Sequence, residues 1–479
     1  MSAAARELSL WPDLIDPQDI FMKNNLRHVF ALVLTSALAP LAQASTLSEV
    51  YEQARLNDHT YKAAQANYAA GLEVAKQSRA GLLPQLNAGA SWTDSEADVT
   101  NNLSATDNQT STGRTQSGYS ISLDQTLFDL SVWHDYQSAK AVSSIAEAEF
   151  AIAEQSLILR TAQAYFDALQ AVDNLETAVA EENAFSHQLE QTRQRFEVGL
   201  TAITEVHEAQ AVYDSATAER LIAEGRVGIA FEALEVITGR PYYQLSPLKR
   251  DLPVTPPSPA ERSAWVDMAM KNNYTLQVAS LNAEAAKENS KARKAGHYPT
   301  LSANLSYSDG NDEQTQESAT IYDQDTTGHS IGVTLRVPIY NGGGISATRR
   351  RAAQQYVAAR EQLNQAQRDI VQSTRSIHLT VVTSVTTVKA RAQAITSNQS
   401  ALEATQAGYD VGTRDLVDVL NAQRSLYRAQ RDYFDALYAY VLSTLRLKDA
   451  AGTLGPQDIE ELDAWLDTSR TVVRDPATT

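Results

Sequence analysis

The chain has 479 residues, a formal net charge of −18, no cysteine, 20 glycines and 14 prolines. The acidic balance argues against a nucleic-acid binder, which needs a basic face to neutralise phosphate. The missing cysteines remove zinc ribbons, iron–sulfur clusters, thiol nucleophiles and disulfide scaffolds together. Few glycines and prolines, with abundant Ala, Gln, Glu, Arg and Leu, favour long helices.

Met22 opens Lys23–Asn24–Asn25–Leu26–Arg27–His28, and Val29 to Ala39 is almost wholly apolar. Ala42–Gln43–Ala44 follows, completing the charged, apolar and small-residue pattern of a secretory signal peptide. The apolar run is about half of what a spanning helix needs. An inserted anchor helix is the alternative. Residues 1–21 read as an upstream extension, 22–44 as the signal peptide, and Ser45 as the first mature residue.

The remainder is written twice. Gln194–Arg195–Phe196–Glu197–Val198–Gly199 reappears as Ala407–Gly408–Tyr409–Asp410–Val411–Gly412, and Ala209–Gln210 as Ala422–Gln423 at the same offset. The halves are expected at 45–240 and 261–455, joined by a proline-rich linker at 241–260 and followed by an acidic tail at 456–479. Each half reads as helix, strand pair, then two helices. Strands are expected at about 84–95, 117–128, 299–309 and 330–340, where apolar and polar residues alternate. The polar stretches Asp94 to Gly118 and Asp309 to Gly328 read as long loops. From Ser131 to about Val198 there is neither proline nor glycine, which predicts a helix of roughly 100 Å. Thr380 to Val388 is rich in β-branched residues, yet the repeat aligns it with helix. Gly199 and Gly412 are the expected apex turns, where one helix ends on a left-handed glycine and the next begins.

Four strands cannot stand in a bilayer with open edges, so a membrane sheet must close through several chains. Two chains give eight strands, a barrel filled by its own side chains; three give twelve, enough for a water-filled lumen. The expected fold is therefore mainly α, a multichain tube with a transmembrane β-barrel at one end. A periplasmic coiled-coil scaffold without a pore is the alternative; a diffusion porin is disfavoured by the helix content.

Several motifs carry a specific resemblance: Leu82–Leu83–Pro84–Gln85–Leu86, Gln194 to Leu200, Pro338–Ile339–Tyr340–Asn341–Gly342–Gly343, and Ala407 to Arg414. From about Ser45 to about Leu466 the chain resembles the TolC family of outer-membrane export ducts. The resemblance implies a homotrimer in the outer membrane, its four strands per chain forming one twelve-strand barrel that a long α-helical barrel continues into the periplasm. It also implies a passive role in drug efflux and type I protein secretion, with periplasmic adaptor (membrane fusion) proteins and inner-membrane efflux or ABC transporters as partners.

No catalytic constellation or cofactor site emerges. His207–Glu208 lacks the second His, since Ala211 stands there, and Gly342–Gly343–Gly344 lacks the Lys-Ser/Thr of a phosphate loop. Arg349–Arg350–Arg351, just after a strand, reads as a solvated helix face or as a contact to lipid headgroups. By resemblance, Tyr409 and Arg414 match a latch that holds the periplasmic entrance shut, with partners at Gln188, Thr204 and Glu205. Glu205 replaces the Asp of the family pattern, and Gln406 replaces a Glu. Where the pattern has two lumenal Asp three residues apart, this chain has Asp418 and Asn421. One carboxylate ring is expected there, giving a cation-selective mouth.

Overall fold

The computed structural model describes residues 44–101, 108–249, 251–317 and 319–474. The expected leader and upstream extension lie outside these residues, apart from Ala44. The first half runs α1 (Leu47–Asn57), α2 (His59–Ala80), β1 (Gln85–Asn101), β2 (Asn108–Phe128), α3 (Leu130–Glu197) and α4 (Ile203–Thr238). After the short β3 (Gln244–Leu245) the order repeats as α5 (Arg262–Asn272), α6 (Tyr274–Ala295), β4 (Thr300–Gln316), β5 (Ala319–Arg336), α7 (Gly344–Asp410) and α8 (Leu416–Ala450). The chain then forms α9 (Pro456–Asp463) and β6 (Val472–Val473). Equivalent helices match in length: 68 and 67 residues for α3 and α7, 36 and 35 for α4 and α8.

The single helix expected before each strand pair is two helices. Asp58 ends α1 and caps α2, accepting from the Tyr61 amide at 2.9 Å. Asn273 does the same between α5 and α6, accepting from Leu276 N at 3.1 Å. A side chain that bonds the next helix's first-turn N–H stops one helix while starting another. Thr380 to Val388 lies inside α7, as the repeat required. Val381, Val385 and Val388 are buried there at helical spacing, so tertiary packing overrides local β propensity.

The four long strands form one antiparallel sheet in the order β1-β2-β4-β5. They run further than expected. β1 pairs with β2 from Gln85↔Asp124 to Asn101↔Asn108, and β4 with β5 as far as Gln316↔Ala319. Most of the two polar stretches read as loops is thus ladder. Their side chains alternate poorly because both faces meet water there, while backbone pairing continues regardless. At the other end β5 stops at Arg336, short of residue 340, because Pro338 has no N–H to donate.

Ile331, Val333 and Leu335 are 83%, 65% and 64% exposed on one face of the sheet, with Ile121, Leu305 and Trp92. The opposite face is polar: Asn304 donates to Asp124 at 2.7 Å, and Ser306 bonds Ser330 at 2.8 Å. An apolar face outward and a polar face inward is the pattern of a barrel strand between lipid and an aqueous lumen. Among the described residues no helix is long and apolar enough to cross a membrane.

The largest core lies midway along the helices. Tyr165, Phe166, Phe231, Leu157 and Leu445 pack there with α1 and the tail. The Tyr165 hydroxyl donates to the carbonyls of Ser45 (3.1 Å) and Ser246 (2.7 Å). β6 pairs with β3, and Ser45 bridges to Leu245. Linker, Ser45 and tail therefore form one girdle, with Ile459, Leu466 and Val472 buried. The acidic tail expected at 456–479 is thus part of the central core.

Candidate functional site

Far from the sheet, the two long helix hairpins meet at an apex. α3 and α7 both end in the same motif. Leu200 N bonds Arg195 O at 2.8 Å and Gly199 N bonds Phe196 O at 2.9 Å; Thr413 N bonds Gly408 O at 2.9 Å and Gly412 N bonds Tyr409 O at 3.0 Å. Gly199 and Gly412 have φ of 75° and 78°, the left-handed turn that glycine adopts without strain. The turns aim α4 and α8 back along their partners. Phe185, Leu189, Val212, Tyr409, Leu416 and Val419 then close a small four-helix core.

Tyr409 is the residue that joins the hairpins. It is buried at the end of α7, with its hydroxyl 3.5 Å from Glu205 Oε2 on α4. That distance is the outer limit of a hydrogen bond. Arg195, at the end of α3, places its guanidinium carbon 4.8 Å from the Tyr409 ring centroid. This cation–π contact is the stronger link, worth about 0.5–2 kcal/mol. Burial pushes the Tyr409 phenol up; Arg195 opposes the shift and Glu205 adds to it. The phenol therefore stays a neutral donor at physiological pH. Arg195 Nε is buried and has no hydrogen-bond partner within the described chain.

The remaining expected latch residues are placed differently. Gln188 is buried on α3, where its backbone carbonyl accepts from the Thr192 hydroxyl at 2.8 Å. Thr204 is exposed on the first turn of α4. Arg414 turns back along its own helix, bonding Asp418 Oδ2 at 3.3 Å, and does not reach the first apex. Asp418 also closes the α8 start through its N–H, which donates to the Asp415 carboxylate at 2.9 Å. Asn421 is exposed one turn further on. So the fold brings Tyr409, Glu205 and Arg195 together and leaves Arg414 with Asp418. Arg195 was missed as a site residue although it lies in the repeated motif, opposite Gly408. Arg349, Arg350 and Arg351 are exposed on the first turns of α7. No group of His, Asp and Glu among the described residues is arranged to hold a metal ion.

A lipid-compatible open sheet joined to roughly 100 Å of helix and ending at an apex defines an outer-membrane duct that reaches into the periplasm. The chain belongs to the outer membrane efflux protein family, which it matches over residues 50–240 and 265–453. It is 36% identical to the outer membrane protein TolC of Vibrio cholerae over 92% of this chain and 99% of that one. It is 30% identical to the proteases secretion protein PrtF of Dickeya chrysanthemi, over 92% and 95% of the two chains. The crystal structure of the outer membrane protein VceC of Vibrio cholerae superposes with a TM-score of 0.67 at 21% identity, covering 85% of this chain and 96% of that one. The family is one of transport ducts. Its fold is a trimeric β-barrel continued by a helical barrel, to which each chain here contributes its four strands.

Proposed function

We propose that this chain forms the homotrimeric exit duct for both tripartite drug efflux and type I protein secretion, and that its periplasmic entrance rests closed. A periplasmic adaptor protein and an inner-membrane efflux or ABC transporter would engage it and supply the energy. The observation that carries the gate is the Arg195–Tyr409–Glu205 contact, the polar link between the α3/α4 and α7/α8 hairpins at their tips. Opening an entrance requires those hairpins to separate. Three-fold symmetry repeats the link, so contacts of about 1 kcal/mol each suffice to bias the resting state. Adaptor binding then only has to favour the open state differentially. Arg414, paired with Asp418 in the single chain, would complete the latch toward Gln188, Thr204 and Glu205 in the closed trimer.

Tyr409→Phe keeps the ring under Arg195 and loses only the long hydrogen bond, so it should open the duct little. Arg195→Gln combined with Tyr409→Leu removes both. That variant should raise single-channel conductance severalfold and admit large antibiotics to cells at unchanged trimer yield. Wild-type conductance in the double variant would move the gate elsewhere.

A further inference from the structure

The side of α8 above the apex carries charges that the gate does not use. Asn421, Arg428 and Asp435 are one heptad apart and share one track of the helix, while Asp418, Ser425 and Asp432 share the adjacent one. Contacts to neighbouring helices fix the direction of these tracks. Asp432 pairs with Arg391 of α7 at 2.8 Å, and Arg431 with Glu181 of α3 at 2.5 Å. Asn421, Arg424 and Arg428 stand exposed between those edges. Arg424, Arg428 and Arg226 of α4 have no carboxylate partner among the described residues. All three line a cleft of about 650 Å³ between α3, α4 and α8.

The acids facing this cleft are largely answered or lie further from the apex. Glu181 and Asp432 are paired as above, and Asp435 accepts from Gln170 (2.6 Å) and Asn174 (3.4 Å). Glu219, on α4 a turn beyond Ser215, has no hydrogen-bond or ion-pair partner among the described residues. α4 and α8 both start at the apex, and Ser215 lies as far along α4 as Arg428 lies along α8. At that level the cleft offers Ser215, Val212 and Phe185 but no acid. Below it, the nearest carboxylate on α8 is Asp418, which Arg414 already engages.

We infer that Arg424 and Arg428 form a cationic collar in the lumen directly above Asn421, which makes the entrance passage favour anions and hold the anionic groups of cargo. Three-fold symmetry turns the pair into two stacked guanidinium rings, about 6 Å apart at 1.5 Å per residue. A narrow passage with low-dielectric walls focuses such a field. Guanidinium forks also suit carboxylate and phosphate oxygens. The inference rests on the reading that Asp418 and Asn421 line the lumen, and it reverses the selectivity expected from the Asp418 ring alone.

The test uses the intact trimer in planar bilayers. Under a KCl gradient, wild type should show an anion-favouring reversal potential, and Arg424→Gln with Arg428→Gln should shift it toward cations by at least threefold in permeability ratio. Tripolyphosphate added at the periplasmic side should block wild type at least tenfold more strongly than that variant. The chain has no cysteine, so Asn421→Cys and Arg428→Cys report location cleanly through current block by an impermeant methanethiosulfonate. Block in both places the collar in the lumen. Block in Asn421→Cys alone overturns the collar while keeping the lumen reading; block in neither overturns both. An unchanged reversal potential with a lumenal Arg428→Cys also overturns the proposal.

Discussion

Asp58 shows how one side chain carries two jobs. It caps α2 and receives the Arg160 guanidinium at 2.6 Å while almost fully buried. Burial alone would raise its pKa, but the Arg160 bond and the Tyr61 N–H outweigh that and hold the carboxyl below its ordinary value. A depressed carboxylate stabilises the fold above its unfolded pKa of about 4, and this contribution is lost as pH falls through the lower folded value. Asp58→Ala should cost about 1–3 kcal/mol at pH 7, from the lost cap and an unpaired guanidinium. Asp58→Asn keeps the cap and should cost less, while flattening the melting temperature against pH below about 4. Thermal unfolding of both variants from pH 7 to 3 checks the sign. At the apex, Gly412→Ala should cost about 1 kcal/mol through backbone strain alone, because open space surrounds the position where its Cβ would stand. Faster proteolysis at the apex, with trimer yield unchanged, is the expected readout.

Among the elements, the helices were the most legible. The run without glycine or proline before Val198 became α3 almost to the residue, and the paired Val-Gly motifs became matching turns. Strand ends were less legible for a physical reason. Residues such as Asp312, which receives Arg114 at 2.8 and 2.5 Å, are polar on an exposed ladder and carry no periodic signal. The tail was hidden differently: β6 is two residues long, and its partner β3 lies in the linker. In the candidate site, Tyr409 and Glu205 could be placed from the motif. Arg195 could not, since a residue beside a glycine turn gives no hint of the ring it will cover. Truncation after Gly455 would remove Ile459, Leu466 and Val472 from the central core and uncover the apolar side chains they pack against. It should lower the melting temperature of the detergent-solubilised trimer by at least several degrees while leaving the strand content seen by circular dichroism.

For the molecule as a whole, the sheet dictates the assembly. β1 and β5 each have one unpaired edge within the chain, and hydrocarbon tolerates neither. Three chains pair β5 of one with β1 of the next, and native mass spectrometry in detergent should find the trimer. Ile331→Arg places a charge on the lipid-facing side and should cost about 2–4 kcal/mol near the bilayer midplane. Outer-membrane recovery of the trimer should fall, whereas Ser330→Arg, facing the lumen, should be recovered normally.

The girdle joins Ser45, Gln244–Leu245 and Val472–Val473, residues that lie before, between and after the two repeats. Such a junction keeps time. Ser45 can meet Leu245 once the first repeat has crossed into the periplasm, but β3 waits for β6 until Val473 has arrived. Contacts this distant in sequence form slowly, because long loops must close before they are rewarded. Closure of the girdle therefore marks a chain made as far as β6. A protomer cut short anywhere in the second repeat leaves β3 without β6 and its middle unsealed, a visible difference by which an envelope protease could tell such fragments from chains that reach β6.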